Sequence, residues 1–212
     1  MALTPPPAAS AADVKGGPHI VFVYGSLMAE EVVRAILKRV PPAAPATLPN
    51  FHRFSIKERI YPAILPVENK KVAGKVYLFS DKIQSAAFNL NHSCSLTIIA
   101  PQIIMGVTDD ELQVLDAFED VEYTRTRVEI SLTDSSETML ADTYVWSDAE
   151  DPNLYGEWDF EGWKKLHMKD FLAMALGFMH GLEQPESKTR VETYQSFMQQ
   201  QEPPASEAKV DG

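Results

Sequence analysis

The feature that most limits what this chain can fold into is a run of five apolar residues, Ile20-Val21-Phe22-Val23-Tyr24, that stops abruptly at Gly25-Ser26. A short, unbroken run rich in β-branched residues and bounded by a glycine turn is the pattern of a strand buried within a sheet. The period then changes. Val33, Ile36, Leu37 and Val40 fall on one face of an amphipathic helix predicted from Met28 to Val40, and Pro41-Pro42 stop it.

Leu48 to Leu65 reads as two strands around Lys57-Glu58-Arg59, with Tyr61-Pro62 limiting the second at an edge or bend. Val72 to Phe79 is a further strand candidate. Thr108-Asp109-Asp110-Glu111 fits a capping box, in which the threonine hydroxyl caps the backbone and the glutamate reaches back. Leu112, Leu115 and Phe118 recur at helical spacing, so a short helix is expected to end near Glu119. Arg127–Leu132 and Leu140–Trp146 both alternate and flank a polar turn, which predicts a β-hairpin. Beyond Asp151-Pro152, the residues Trp163, His167, Phe171, Met174, Phe178 and Leu182 form one stripe of a long helix that Pro185 ends. The expected fold class is α+β: an antiparallel, barrel-like sheet with a few helices, closed by a helical C-terminal segment. By composition, residues 1–17 and 202–212 are expected to be disordered tails, 18–150 a folded domain and 151–201 a helical extension.

Composition narrows the partners. A net charge of −11 argues against nucleic acid, because phosphate binding needs a basic face, and weakly against anionic membrane surfaces. The single cysteine, Cys94, forms no intrachain disulfide and fits a reduced compartment. No secretory signal is visible. The longest apolar run, Leu96–Val107, is interrupted by Pro101 and Gln102 and is too short to span a bilayer. A cytoplasmic protein is expected, with the nucleus as the alternative. His19, His52, His92, His167 and His180 show no metal-ligand spacing, and Asn91-His92-Ser93 reads as a chance glycosylation sequon.

Two segments could carry chemistry. Tyr24-Gly25-Ser26-Leu27 joins a strand to a helix, where unpaired backbone N–H groups can hold a carboxylate or phosphate. By itself such a junction is more often only a turn, and Ser26 has no motif support as a nucleophile. The second segment, 115–123, packs four carboxylates into seven residues, Asp116, Glu119, Asp120 and Glu122, beside Phe118 and Tyr123. A carboxylate among aromatic groups can have its pKa raised toward neutrality, which suits acid/base work. The alternative is an acidic, solvated helix end.

Taken together, Val23-Tyr24-Gly25-Ser26-Leu27, Tyr61-Pro62-Ala63-Ile64, Gly74-Lys75-Val76 and Leu115-Asp116-x-Phe118-Glu119-x-x-x-Tyr123-x-Arg125 resemble, in order, the γ-glutamylcyclotransferase-like superfamily. Leu154-Tyr155-Gly156-Glu157-Trp158-Asp159-Phe160 resembles its plant avirulence-induced-gene-like branch. The resemblance implies a small mixed β-barrel with helices and a small-molecule γ-glutamyl substrate. It implies that the loop Tyr24, Gly25, Ser26, Leu27 and Met28 holds the substrate's α-carboxylate end. Glu119 would take a proton from the α-amine, which attacks the γ-carbonyl, closes 5-oxoproline and expels an amine. No metal or cofactor is implied, and Tyr123 and Arg125 would support the loop. One departure stands out. Residues 76–102 read as an insertion relative to the family, either retained in-frame intron sequence or a genuine loop. A non-catalytic binding or stress-response protein on the same fold is the competing expectation.

Overall fold

The computed structural model describes residues 19–77, 106–135, 137–182 and 192–196. Both expected tails, Cys94, the sequon and most of the expected insertion lie outside the described residues.

Strand β1 (Val21–Val23) leads through a 3-10 turn (Ser26–Met28) into helix α1 (Glu30–Leu37). Then come β2 (Ala43–Ile56), β3 (Ala63–Tyr77), α2 (Asp109–Glu119), β4 (Tyr123–Leu132), β5 (Thr138–Trp146), β6 (Leu154–Tyr155), α3 (Phe160–Leu166) and α4 (Met168–Leu182). The strands run in the order β3-β1-β5-β4-β2, and β2 pairs again with β3, so five strands close into a barrel. Only β1 against β5 is parallel, so the sheet is mixed, and β6 adds to the edge of β2. Among the described residues no helix is long and apolar enough to cross a membrane.

The unbroken apolar run of β1 has a structural reason. Its residues alternate between two cores. Phe22 joins the barrel interior with Leu48, Ile64, Val76 and Ile130, while Val21 and Val23 join the core between the barrel and the helices. The Thr143 hydroxyl, fully buried, donates to the Phe22 carbonyl at 3.0 Å and ties β5 to β1.

The predicted strand at Val72 is not separate but continues from Ala63 as the second half of β3. The β2–β3 ladder slips between Pro49, opposite Lys71, and Phe51, opposite Pro66. Asn50 and Asn69 take up left-handed φ values of 58° and 61° at this irregularity, and Asn69 N–H donates to Asn50 Oδ1 at 3.4 Å. Asparagine tolerates this conformation, and such irregularities bend the strands that must close a barrel. Val76 and Tyr77 are buried in β3, so the first two residues of the expected insertion are barrel residues.

Helix α1 is shorter than predicted. Lys38 adopts a φ of 60° and ends it before the prolines, and its first turn is the separate 3-10 turn. The capping box of α2 forms as read: Glu111 N–H donates to Thr108 Oγ1 at 3.2 Å, and Thr108 N–H to Glu111 Oε2 at 2.9 Å. Arg39 donates to both Glu111 oxygens. The C-terminal stripe is buried at Trp163, Phe171, Met174 and Phe178, but His167 divides it into α3 and α4. Phe118 of α2 meets Phe171 and Phe178 edge-on, with centroids 6.2 and 5.5 Å apart, which fixes the end of α2 against α4.

Candidate active site

The turn after β1 is built by two of its own hydrogen bonds, Met28 N–H to the Gly25 carbonyl (2.9 Å) and Ala29 N–H to the Ser26 carbonyl (3.0 Å). The N–H groups of Gly25, Ser26 and Leu27 are therefore unused within the turn. Three outside contacts hold its position. Tyr24 hydroxyl donates to the Tyr144 carbonyl at 2.6 Å, Arg53 Nη1 donates to the Tyr24 carbonyl at 2.8 Å, and Tyr77 hydroxyl donates to the Leu27 carbonyl at 2.9 Å. Burial, and secondarily the charge of Glu30, push the Tyr77 hydroxyl pKa well up, so it stays a neutral donor. Gly25 is required by packing: a Cβ there would lie 2.8 Å from Pro62 Cγ.

Glu119 is the last residue of α2 and is half-buried. Asp120 ends the helix with φ 60° and ψ −164°, a region that L residues rarely occupy, and its N–H still donates to the Asp116 carbonyl at 3.1 Å. Asp116, one turn back, accepts from the Tyr144 hydroxyl at 2.8 Å and pairs with Arg125 Nε at 3.4 Å. Burial, then the Asp116 hydrogen bond and charge, then the charge of Glu119 push the Tyr144 hydroxyl far up. Tyr123 hydroxyl donates to the Pro62 carbonyl at 2.7 Å, and its ring meets Trp146 edge-on at 5.0 Å. Tyr61 hydroxyl donates to Glu122 Oε2 at 2.9 Å, and Glu122 pairs with Arg59 at 3.5 Å.

Several of these groups meet at a small pocket of about 30 Å³. Tyr24, Gly25, Ser26 and Leu27 line one side and Glu119 another, with Tyr61, Pro62, Tyr123 and Tyr144 as walls and Phe22 and Val23 behind. Of the predicted loop residues, Met28 is not in this lining. It is buried and faces a neighbouring cleft with Arg34 and Lys164. Glu119 is the one charged side chain of the lining among the described residues. Sequence reasoning missed Tyr144, whose only signal was its place in an alternating strand, and gave Tyr61 and Pro62 no role of their own. Among the described residues no group of three or more His, Cys, Asp or Glu side chains is placed to hold a metal ion.

These features define a class of protein, a closed mixed barrel in which one carboxylate and the Gly25–Leu27 turn line the same small pocket. A family model described as "Gamma-glutamyl cyclotransferase, AIG2-like" matches residues 21–89 and 100–160, and the chain belongs to this family. Only residues 90–99, inside the expected insertion, separate the two matched stretches. The chain is similar to AIG2-like protein D of Arabidopsis thaliana, 51% identical over 171 residues that cover 80% of this chain and 95% of the relative. AIG2-like protein C of the same plant is 44% identical over 180 residues, covering 85% and 89%. A solution structure of an Arabidopsis thaliana protein, 38% identical, covers 84% of this chain and 100% of its own with a TM-score of 0.51.

Proposed function

We propose that the protein is a γ-glutamylcyclotransferase that releases 5-oxoproline and an amine from a small γ-glutamyl compound, acting in the cytoplasm. The observation that carries this reading is that Glu119 and the Gly25–Leu27 turn, from distant parts of the sequence, line one cavity. A γ-glutamyl group presents a carboxylate and an ammonium on one carbon. The N–H donors of the turn suit the carboxylate and the Glu119 carboxylate suits the ammonium. Glu119 takes a proton from the ammonium, and the freed amine attacks the γ-carbonyl carbon to form the new C–N bond of a five-membered ring. The old amide C–N bond breaks as Glu119 returns its proton to the departing nitrogen. The second proton of the attacking nitrogen passes to the same amine, which leaves as an ammonium while the ring nitrogen keeps one N–H and the carboxylate is regenerated. Ring closure within one molecule needs the two ends only to be held together, which is where a positioned site gains most of its rate. Tyr123 and Tyr144 donate their protons to Pro62 and Asp116, so they shape the cavity and leave the proton traffic to Glu119.

Incubation of the full chain with γ-glutamyl peptides and γ-glutamyl amines, with 5-oxoproline measured, tests the reading. Formation by the wild type and its loss in Glu119→Gln are expected. Binding of these compounds with no 5-oxoproline formed would replace the enzyme by a non-catalytic binding protein.

A further inference from the structure

Arg53 of β2 is outside the cavity lining, yet it bonds to the peptide that enters the donor turn. Its surroundings are costly. Burial lowers its pKa against the opposing charges of Glu157 and Asp159, and its Nε is buried with no hydrogen-bond partner. An apolar side chain would fill the same space without that cost. What Arg53 adds, beside a long 3.5 Å bond from Nη1 to the Ala73 carbonyl, is two further directed contacts. Nη1 donates to the Tyr24 carbonyl at 2.8 Å, and the guanidinium stands 5.3 Å from the centroid of the Trp158 ring.

Trp158 is itself fixed. Its backbone N–H donates to the Arg53 carbonyl at 3.2 Å and its Nε1 to the Ile60 carbonyl at 3.2 Å. The residues before it are stitched along β2: Leu154 and Tyr155 pair with Ile56 and Ser55, and Lys57 N–H donates to the Asn153 carbonyl at 3.0 Å. The 153–158 segment is thus a strap that clamps the guanidinium from outside the barrel.

The Tyr24 carbonyl and the Gly25 N–H belong to one peptide plane, in which C=O and N–H point in opposite directions. Arg53 lies away from the cavity and Gly25 lies on it, so holding the carbonyl on Arg53 turns the Gly25 N–H toward the cavity. Rotation of this peptide would instead present a carbonyl oxygen, which repels a carboxylate. We propose that Arg53, clamped by Trp158, is a positioning residue that orients the Tyr24–Gly25 peptide for the substrate carboxylate. The clamp rests on the functional reading above, and it makes carboxylate binding depend on the strap.

The test uses the ¹⁵N-labelled full chain, 5-oxoproline as the probe in amide spectra, and a γ-glutamyl dipeptide for kinetics. The clamp acts on an interaction made equally in the ground and transition states, so KM moves and kcat holds. Arg53→Met is expected to raise KM about 10- to 100-fold, the worth of one charge-assisted hydrogen bond, and to abolish the Gly25 amide shift on adding 5-oxoproline. Arg53→Lys keeps a donor but not the planar face for Trp158, and its KM should fall between wild type and Met with a reduced Gly25 shift. Wild-type KM and Gly25 shift in folded Met and Lys variants, or a loss confined to kcat, overturns the clamp while leaving the cyclotransferase reading intact. Should the Met variant not fold, the Lys variant alone decides by the same readouts. A wild type whose Gly25 amide ignores saturating 5-oxoproline, and which makes none, overturns the functional reading and the clamp with it.

Discussion

Replacing Gly25 by alanine adds one methyl group at the point where the turn touches Pro62. That carbon would lie 2.8 Å from Pro62 Cγ and 3.0 Å from Cδ. Ordinary carbon contacts begin near 3.5 Å, so the turn and the ring must part by about 0.7 Å. Pro62 has little room to yield. Its carbonyl holds the Tyr123 hydroxyl at 2.7 Å, and its neighbours Tyr61 and Ala63 are 2% and 0% exposed. The turn therefore moves, and its N–H donors move with it. Overpacking of this kind costs about 1–3 kcal/mol, which for a chain of this size lowers Tm by about 2–12 °C. Misplacing binding groups by nearly 1 Å costs up to about 100-fold, so kcat/KM should fall about 10- to 100-fold. Two companion variants isolate the cause. Pro62→Ala removes both clashing atoms, so the Gly25→Ala/Pro62→Ala pair should lose less than the sum of the single changes, by about 1 kcal/mol or more. Gly177→Ala, inside α4 with no atom within 4 Å of the new carbon, should instead stabilise by about 0.5–1 kcal/mol. Thermal melting and 5-oxoproline formation across substrate concentration provide the readout. Wild-type Tm and kcat/KM in Gly25→Ala, or strict additivity in the double variant, would refute the reasoning.

Glu119→Gln should cut turnover by about 10²–10⁴-fold with the melting curve unchanged, because an amide cannot accept the amine proton; wild-type turnover in the folded variant removes Glu119 from the chemistry. At Asp120, where φ is 60°, a glycine relaxes the backbone and an alanine does not, so Asp120→Gly should melt above Asp120→Ala by the equivalent of about 1–2 kcal/mol, and equal melting points would show that this backbone is unstrained. Burial raises the Glu111 pKa, but the bonds from Arg39 and Thr108 outweigh it and leave it below the ordinary 4.5. A depressed carboxylate pKa contributes stability above the unfolded value and loses it as pH falls through the lower folded one. Glu111→Gln should therefore melt about 2–4 °C below wild type at neutral pH, a solvent-screened contribution of about 1 kcal/mol, and the gap should close as pH is lowered from about 4.5; a gap constant with pH would show that the carboxylate's charge is not responsible.

Local chemistry made part of this molecule legible in its sequence. The β1 run, the Thr108 capping box and the β4–β5 hairpin depend on residues a few positions apart, and each is found where the pattern put it. The pairing that closes the barrel was not legible, because the β2–β3 ladder shifts at Asn50 and Asn69 and no local period records the shift. His167 sits on the apolar stripe at the spacing of a continuous helix, so the break there left no trace in periodicity. Glu119 and Tyr24 to Leu27 could be picked out, yet that they share a cavity follows only from the closed sheet. Arg53 gave no signal at all. Its neighbours Phe51, His52 and Phe54 look like any strand, and its partners are the backbone carbonyls of Tyr24 and Ala73 and an indole distant in sequence.

The contact of Phe118 with Phe171 and Phe178 also sets an order of events as the chain is made. Chains emerge from the ribosome N-terminus first, and barrel strands β1 to β5 are complete before residue 147 is added. At that moment Phe118 lacks the rings of Phe171 and Phe178, and Arg53 lacks the ring of Trp158. The pocket walls exist, and Tyr77 and Tyr144 already hold the donor turn, but the end of α2 that carries Glu119 does not yet have its contacts to α4. Helix α4, made after the whole barrel, is the one that seats the residue before Glu119. A chain that stopped before α4 would carry the whole barrel without the contacts that fix the end of α2, so the pocket is completed only after the sheet that lines it.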